Sequence, residues 1–266
     1  MAVEVPLLVE VAKAVPYDGG LLKVAEKHGW LHDNLDPHLG GGFAFIGSPC
    51  GVASLAPGLS DAVLGITPGT EKTFVEPSKY ENHSFAIYKG VKLSPAYKDY
   101  ESEARLGLEL GETFGVEQGV RILVLESAVQ IGGTPQSITA ALALAEQYSA
   151  ERFGGKGVIH TNRAGAAWLA SKRGVIVDEN DHTLTTAQGT PIVNGAGYGV
   201  NGPGATVPTA GNFFIYVTGP IHLYRGSVIY TQGQDLQTNT ETGLAERIYT
   251  AENECLSAFI EVNGTL

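Results

Sequence analysis

Apolar residues recur at helical spacing across residues 94–127, at Tyr97, Tyr100, Ala104 and Leu108, with Leu106, Leu110 and Phe114 beside them. This is the longest helical signal in the chain. Ser94 is suited to the N-cap and Pro95 to the first helical position, where its missing N–H would have no partner anyway. Asp99, Glu101 and Glu103 follow in the first turns, where the helix dipole favours negative charge. Gly107, Gly111, Gly115 and Gly119 are spaced four apart and would form one bare stripe. Each interior glycine costs roughly 0.5–1 kcal/mol relative to alanine. The stripe therefore predicts another backbone lying close along that face, in the same chain or a neighbouring one. The plainer reading is a helix that bends or stops near Gly115.

The pattern on either side is weaker. Residues 1–58 read as an extended arm with one short helix over 21–30, starting near Asp18 and stopped at Gly29. Gly40-Gly41-Gly42, Pro49 and Pro57-Gly58 divide the rest of it into loops. Residues 59–93 predict an extended hairpin, with strands over 71–75 and 84–88, that carries Lys72, Lys79, Lys89 and Lys92 and projects from the body. After Gly132-Gly133, Thr134 and Pro135 predict the start of a second helix with Ile138, Leu142 and Ala145 on one face, ended by Gly154-Gly155. Val158-Ile159-His160 reads as a short buried strand, and Asn162 as the cap of a helix bearing Ala166, Trp168 and Leu169 and closed by Gly174. Strands over 175–177, 183–186 and 191–193 complete an α+β unit. Residues 195–211 form a loop with six glycines and two prolines, and strands resume over 213–218, 221–224, 228–231, 247–250 and 258–262.

Composition agrees with this α+β picture. The 266 residues suit one large domain or two interlocked ones, and 43% hydrophobic content suffices for a core. Thirty-five glycines and 13 prolines favour turns and strands over a helical bundle. A formal charge of −11 with no Lys/Arg run argues against direct nucleic-acid binding. Cys50 and Cys255 are too few for a disulfide framework; reduced thiols are the default, although the two have the option of pairing. No secretion signal is read at the N-terminus, and no apolar run reaches the ~18 residues of a membrane helix. The expectation is a soluble intracellular protein.

Candidate chemistry is thin. Gly197-Tyr198-Gly199-Val200-Asn201-Gly202 matches a dinucleotide-binding string, but Pro203, Gly204 and Pro208 follow where a helix should open. It is read as a loop, and no cofactor is expected. His28 and His32 are four apart, with Asp33, Asp36 and His38 nearby, yet Gly29 stands where a zinc protease needs its glutamate. No metal is assigned. Ser137 and Ser171 lack a nucleophile elbow. Glu109, Glu112 and Glu117 on the long helix read as a solvated or interface face. No catalytic residue emerges.

The order of elements carries more information than any motif. The run from Glu103-Ala104 through Leu110-Gly111-Glu112 to Val116-Glu117 resembles the spine helix of the major capsid protein of tailed bacteriophages, the Hong Kong 97-type shell fold shared with encapsulins. Val158-Ile159-His160-Thr161-Asn162 followed by Trp168-Leu169 resembles the family's axial domain, and Gly189-Thr190-Pro191-Ile192-Val193 its recurrent G-x-P-V-V. Tyr216-Val217-Thr218-Gly219-Pro220 to Arg225-Gly226, and Ala245-Glu246-Arg247 to Ala258-Phe259-Ile260, resemble its closing strands.

The resemblance implies an α+β phage capsid-type fold. Its parts would be an N-terminal arm (1–58), an extended hairpin loop (59–93), a spine helix and first part of a peripheral domain (94–132), an axial domain (133–220) and closing strands returning to the peripheral domain (221–266). It further implies a non-enzymatic structural subunit that assembles with itself as hexamers and pentamers into an icosahedral head around double-stranded DNA. A separate scaffolding protein or none, a portal and decoration proteins would be its partners, with assembly in the host cytoplasm. The interface residues expected on this reading are Gly107, Gly111, Gly115, Gly119, Lys72 and Lys79, and Gly111→Leu should block assembly or strongly lower solubility. Some family members cross-link a hairpin lysine to an asparagine; Lys72, Lys79 and Asn239 have no local signature for this, and it is not expected. The alternatives are an encapsulin-like compartment, another phage head component or an α+β enzyme.

Overall fold

The computed structural model describes residues 14–33, 45–46, 79–80, 83–93, 99–171, 174–235, 240–253 and 255–264. Lys72, Cys50, Asn239, Ser94, Pro95 and the expected strand over 71–75 lie outside them, as do most of the arm's loops.

The first element is helix α1 (Gly20–His28), ended by Gly29 in the left-handed region at φ 73°, followed by strand β1 (Leu31–Asp33). The short pair β2 (Phe45–Ile46) and β3 (Lys79–Tyr80) comes next, so Lys79 sits in an antiparallel ladder. Then come β4 (His83–Leu93) and the long helix α2 (Tyr100–Leu123). α2 opens at Asp99, whose side chain accepts from the Ser102 N–H at 3.2 Å, five residues beyond the Ser94 cap expected from the sequence. It stays one helix through Gly115 and ends in a tight turn, Leu125–Ser127, before β5 (Val129–Gln130).

Next come α3 (Ile138–Arg152), β6 (Val158–Thr161), α4 (Arg163–Ala170), β7 (Val175–Val177), β8 (Leu184–Thr186) and β9 (Pro191–Asn194). Helix α3 is capped by Ser137, not by Thr134. Residues ahead of it are held in the sheet: Gln136 N–H donates to the Glu261 carbonyl at 2.8 Å and its own carbonyl accepts from Asn263 N–H at 2.7 Å. Helical turns cannot begin until that backbone is released. α4 opens at Asn162 as expected, with Gly165 N–H donating to Asn162 Oδ1 at 2.8 Å.

The remaining strands are β10 (Asn212–Thr218), β11 (Ile221–Arg225), β12 (Ile229–Asp235), β13 (Thr240–Asn253) and β14 (Ser257–Asn263). Among the described residues two sheets organise the molecule. One has the order β1-β11-β13-β12, with β4 also on β13; the other runs β5-β14-β10-β6-β9-β8-β7. β14 pairs with β10 along its whole length, in the same sheet as β6–β9, while β11, β12 and β13 of the same closing region share the other sheet. β4, expected in a projecting hairpin, is an integral strand. It pairs with β13 from His83 to Leu93, with Phe85 and Ile87 packed against the core.

β10 shows how the core is divided. Phe213, Ile215 and Val217 face a cluster built with Ile138, Ala141 and Leu142 of α3 and Leu169 of α4. Phe214 and Tyr216 face the other way, into a cluster with Leu21 and Val24 of α1, Val116 and Val120 of α2, Leu223 and Tyr249. Covering both faces explains its unbroken apolar run. Each large buried side chain contributes roughly 1.5–3 kcal/mol. Among the described residues no helix is long and apolar enough to cross a membrane. Cys255 is disulfide-bonded, which departs from the reduced default.

Candidate assembly surface and the spine helix

Along α2 three rows run at four-residue spacing. Tyr100, Ala104, Leu108, Glu112, Val116 and Val120 form the buried row. The glycine row lies one position behind it. Leu110, Phe114 and Ile122 stay exposed on a third row.

The glycine row seats β4 of the same chain. A Cβ on Gly119 would lie 2.5 Å from Phe85 Cε2, one on Gly115 2.9 Å from Ile87 Cγ2, and one on Gly107 2.7 Å from Lys89 Cγ. Gly111 is different: among the described residues, nothing outside its own stretch of helix lies within 4 Å of its Cβ position, and it is solvent-exposed. Gly111→Ala is therefore expected to raise folded-subunit stability by about 0.5–1 kcal/mol, the ordinary helical gain. Gly119→Ala should lower stability, since the Phe85 ring must leave its place on the core. Thermal unfolding of the two variants tests this, and a lower midpoint for the Gly111 variant would show a contact along that face.

The helix carboxylates depart from the expected solvated face. Glu109 is exposed, but Glu112 and Glu117 are buried. Glu112 Oε1 accepts from Arg247 Nη1 at 2.6 Å and from the Tyr249 hydroxyl at 2.9 Å, binding α2 to β13. Burial, with the Glu112 charge beside it, holds the Tyr249 phenol well above its usual range. Glu117 Oε1 accepts from Leu21 N–H at 3.2 Å and Oε2 from Gly197 N–H at 3.0 Å. Burial pushes its carboxyl up to about 7, against the opposing pull of those two N–H groups and of Arg163. The missed signal was position: Glu112 shares a four-residue row with Leu108, Val116 and Val120, and Glu117 lies one residue from it.

His160 is fully buried on β6. Thr218 Oγ1 donates to the Gly219 carbonyl at 2.6 Å, so it must accept from His160 Nε2–H at 2.8 Å. His160 Nδ1 then accepts the Tyr198 hydroxyl proton at 2.9 Å. This directional chain fixes the neutral ring, and burial pulls its pKa down to about 3.

The Gly-rich loop is structural where it meets the spine. Gly197 lies so close to α2 that a Cβ there would sit 2.4 Å from the Phe114 carbonyl oxygen. The loop forms tight turns at Ala196–Tyr198 and Pro203–Ala205, and no helix follows the dinucleotide-like string. The segment of α1 and β1 is clasped at three further points. Lys27 Nζ meets Asp181 at 2.7 Å and Asp178 at 3.3 Å, Asp33 pairs with Arg225 through two bonds, and His32 meets His222 at 3.2 Å. His28 stacks on Trp30 at 4.7 Å, apart from His32. Ser137 serves as a cap, and Ser171 donates to the Trp168 carbonyl. A groove of about 650 Å³ beside α3 contains Glu146, whose two oxygens are bonded to the hydroxyls of Thr186 and Thr190.

No protein-family model matches the sequence, and no curated protein matches it. Solved structures do. The capsid of Ralstonia phage GP4 is 8% identical, with 99% of this chain and 96% of that one covered at a TM-score of 0.53. A structure from Microbacterium phage Oxtober96 is 10% identical, covering 98% and 96% at 0.53. The holo-SrpI encapsulin complex from Synechococcus elongatus PCC 7942 is 12% identical, covering 98% of both chains at 0.50. At such identities the likeness establishes the fold. The chain has the mixed helix-and-sheet shell fold of phage capsids, which an encapsulin shares.

Proposed function

We propose that this chain is the major capsid subunit of a tailed phage, a structural protein without enzymatic activity that assembles with itself as hexamers and pentamers around double-stranded DNA. The observation that carries the reading is coverage: the likeness to the GP4 capsid spans 99% of this chain and 96% of that one, at a TM-score of 0.53. The division into arm (1–58), hairpin region (59–93) with β4 set in the β13 sheet, spine (94–132), axial unit (133–220) and closing strands (221–266) with β14 set beside β10 is part of the proposal. A separate scaffolding protein, a portal and decoration proteins are its proposed partners, and the host cytoplasm its place of assembly.

Subunit contacts are assigned to the arm, the hairpin with Lys72 and Lys79, and the spine face that carries the glycine row. Three of its glycines already serve β4, which leaves Gly111 as the open position. Gly111→Leu should therefore spare the isolated subunit and impair shell formation.

DNA is held by confinement. With −11 formal charge and no Lys/Arg cluster, the chain lacks the grouped cations that phosphate binding requires. Isolated subunit mixed with duplex DNA in a gel-shift assay should show no submicromolar complex at low salt. A complex that weakens steeply between ~50 and ~200 mM salt would contradict this. Immunogold labelling of native particles with an antibody to the chain tests the function itself. Labelled, DNA-filled heads with tails are expected, and label on tailless, DNA-free shells would move the chain to the encapsulin class.

A further inference from the structure

Three separate segments converge on the Glu117 carboxylate. The spine helix supplies it, α1 offers Leu21 N–H to one oxygen, and the Gly-rich loop offers Gly197 N–H to the other. Glycine is required on both sides: a Cβ on Gly20 would lie 2.0 Å from Oε1, and one on Gly195 2.0 Å from Cδ. The side chain is 1% exposed.

Among the described residues, the charged and titratable groups facing it are Arg163, Tyr17 and Tyr198. Arg163 of α4 lies over the Tyr17 ring at 4.2 Å, Tyr17 precedes α1, and the Tyr198 hydroxyl on the loop is committed to His160. Among the described residues no cation is within ion-pair distance of the carboxylate, so two neutral N–H groups are its direct partners.

We propose that docking of α1 and the Gly-rich loop onto the spine helix is coupled to proton uptake at Glu117, which makes this junction a latch held in the neutral form and loosened in the ionised form. An ionised carboxylate buried without a paired cation is unfavourable, and opening the junction lets water reach it. In the opened state the carboxyl returns to its ordinary value near 4.5, whereas in the closed state burial holds it at about 7. Closing therefore binds a proton between those values, and rising pH favours opening.

The other groups on α1 do not imitate this. Lys27 is held above, and Asp178 and Asp181 below, their ordinary ranges by their mutual bonds, so they keep their charges near neutrality. Burial lowers the His28 value from 6.5, so its charging loosens α1 only on the acid side. The window from pH 6.5 to 8.5 isolates Glu117. The inference stands on the folded subunit alone; on the capsid reading it would also link arm release to assembly.

The test is amide hydrogen exchange by mass spectrometry on the full-length chain, with labelling times scaled to equal intrinsic exchange at each pH. In the native sequence, opening of residues 20–28 and 195–199 should rise roughly fourfold from pH 6.5 to 8.5, while β10 stays unchanged. Glu117→Gln, which cannot ionise, should abolish the rise. Opening that is flat or falls with pH in the native chain, or an equal rise in the variant, would overturn the proposal. Should the variant fail to fold, the contrast between α1 and β10 in the native chain decides.

Discussion

Arg247→Met is expected to cost the folded subunit about 3–5 kcal/mol, because it leaves Glu112 charged and buried against α2 with only the Tyr249 hydroxyl as partner. The two side chains are 20% and 11% exposed, so water replaces little of the lost contact. Replacing both members, Arg247→Met with Glu112→Leu, should recover most of that loss. The residual cost is the Tyr249 hydroxyl left without its acceptor, about 1–3 kcal/mol. Denaturant unfolding of the three variants measures it. A single-variant loss below about 1 kcal/mol would place the pair among the ordinary surface bridges.

The second large effect is in acid. An unfolded histidine takes a proton below its ordinary 6.5, whereas His160 resists until about 3. Across that window the unfolded chain binds more protons, so stability falls as pH falls. Glu117 acts in the opposite sense: between 4.5 and about 7 the folded chain holds a proton that the unfolded chain has lost, so acid stabilises. From pH 6.5 to 4.5 the two contributions nearly cancel. Glu117→Gln removes one of them. Its stability should drop relative to the native chain by roughly 2 kcal/mol over that interval, since each full pH unit between the two values is worth about 1.4 kcal/mol. His28 and the low-lying carboxylates Asp33, Asp178, Asp181 and Glu261 titrate alike in both proteins and leave the difference untouched. Parallel stability curves for the two proteins would show that Glu117 does not titrate in this range.

What the sequence revealed and what it hid follow from where each element's stability originates. α1 was legible because Gly29 takes a left-handed conformation that stops a helix, and α4 because Asn162 can cap one. Both signals are local. β13 was read only at 247–250 because Thr240-Glu241-Thr242-Gly243 has no strand pattern of its own. Its extension comes from the ladders of β4 on one side and β12 on the other. The Thr134 start of α3 failed for the same reason, since Gln136 is bonded to β14, more than a hundred residues away in sequence. At Glu112 and Glu117 hydropathy could not separate a solvated carboxylate from one met by Arg247 or by two backbone N–H groups. The four-residue row through Leu108 and Val116 was the available clue. The glycine row was legible as a demand for space, but its occupant, Phe85, Ile87 and Lys89 of β4, depends on a sheet that periodicity does not specify.

The central claim is that this fold builds a closed shell from copies of itself. Electron cryomicroscopy of the purified chain, with a scaffold co-expressed where the chain alone stays dispersed, tests it most directly. The account predicts closed icosahedral particles with five-fold and six-fold clusters of the fold described above, the spine face around Gly111 turned toward a neighbouring copy. Monomers or small open oligomers under every assembly condition, or a shell in which that face points to solvent in all copies, would contradict it.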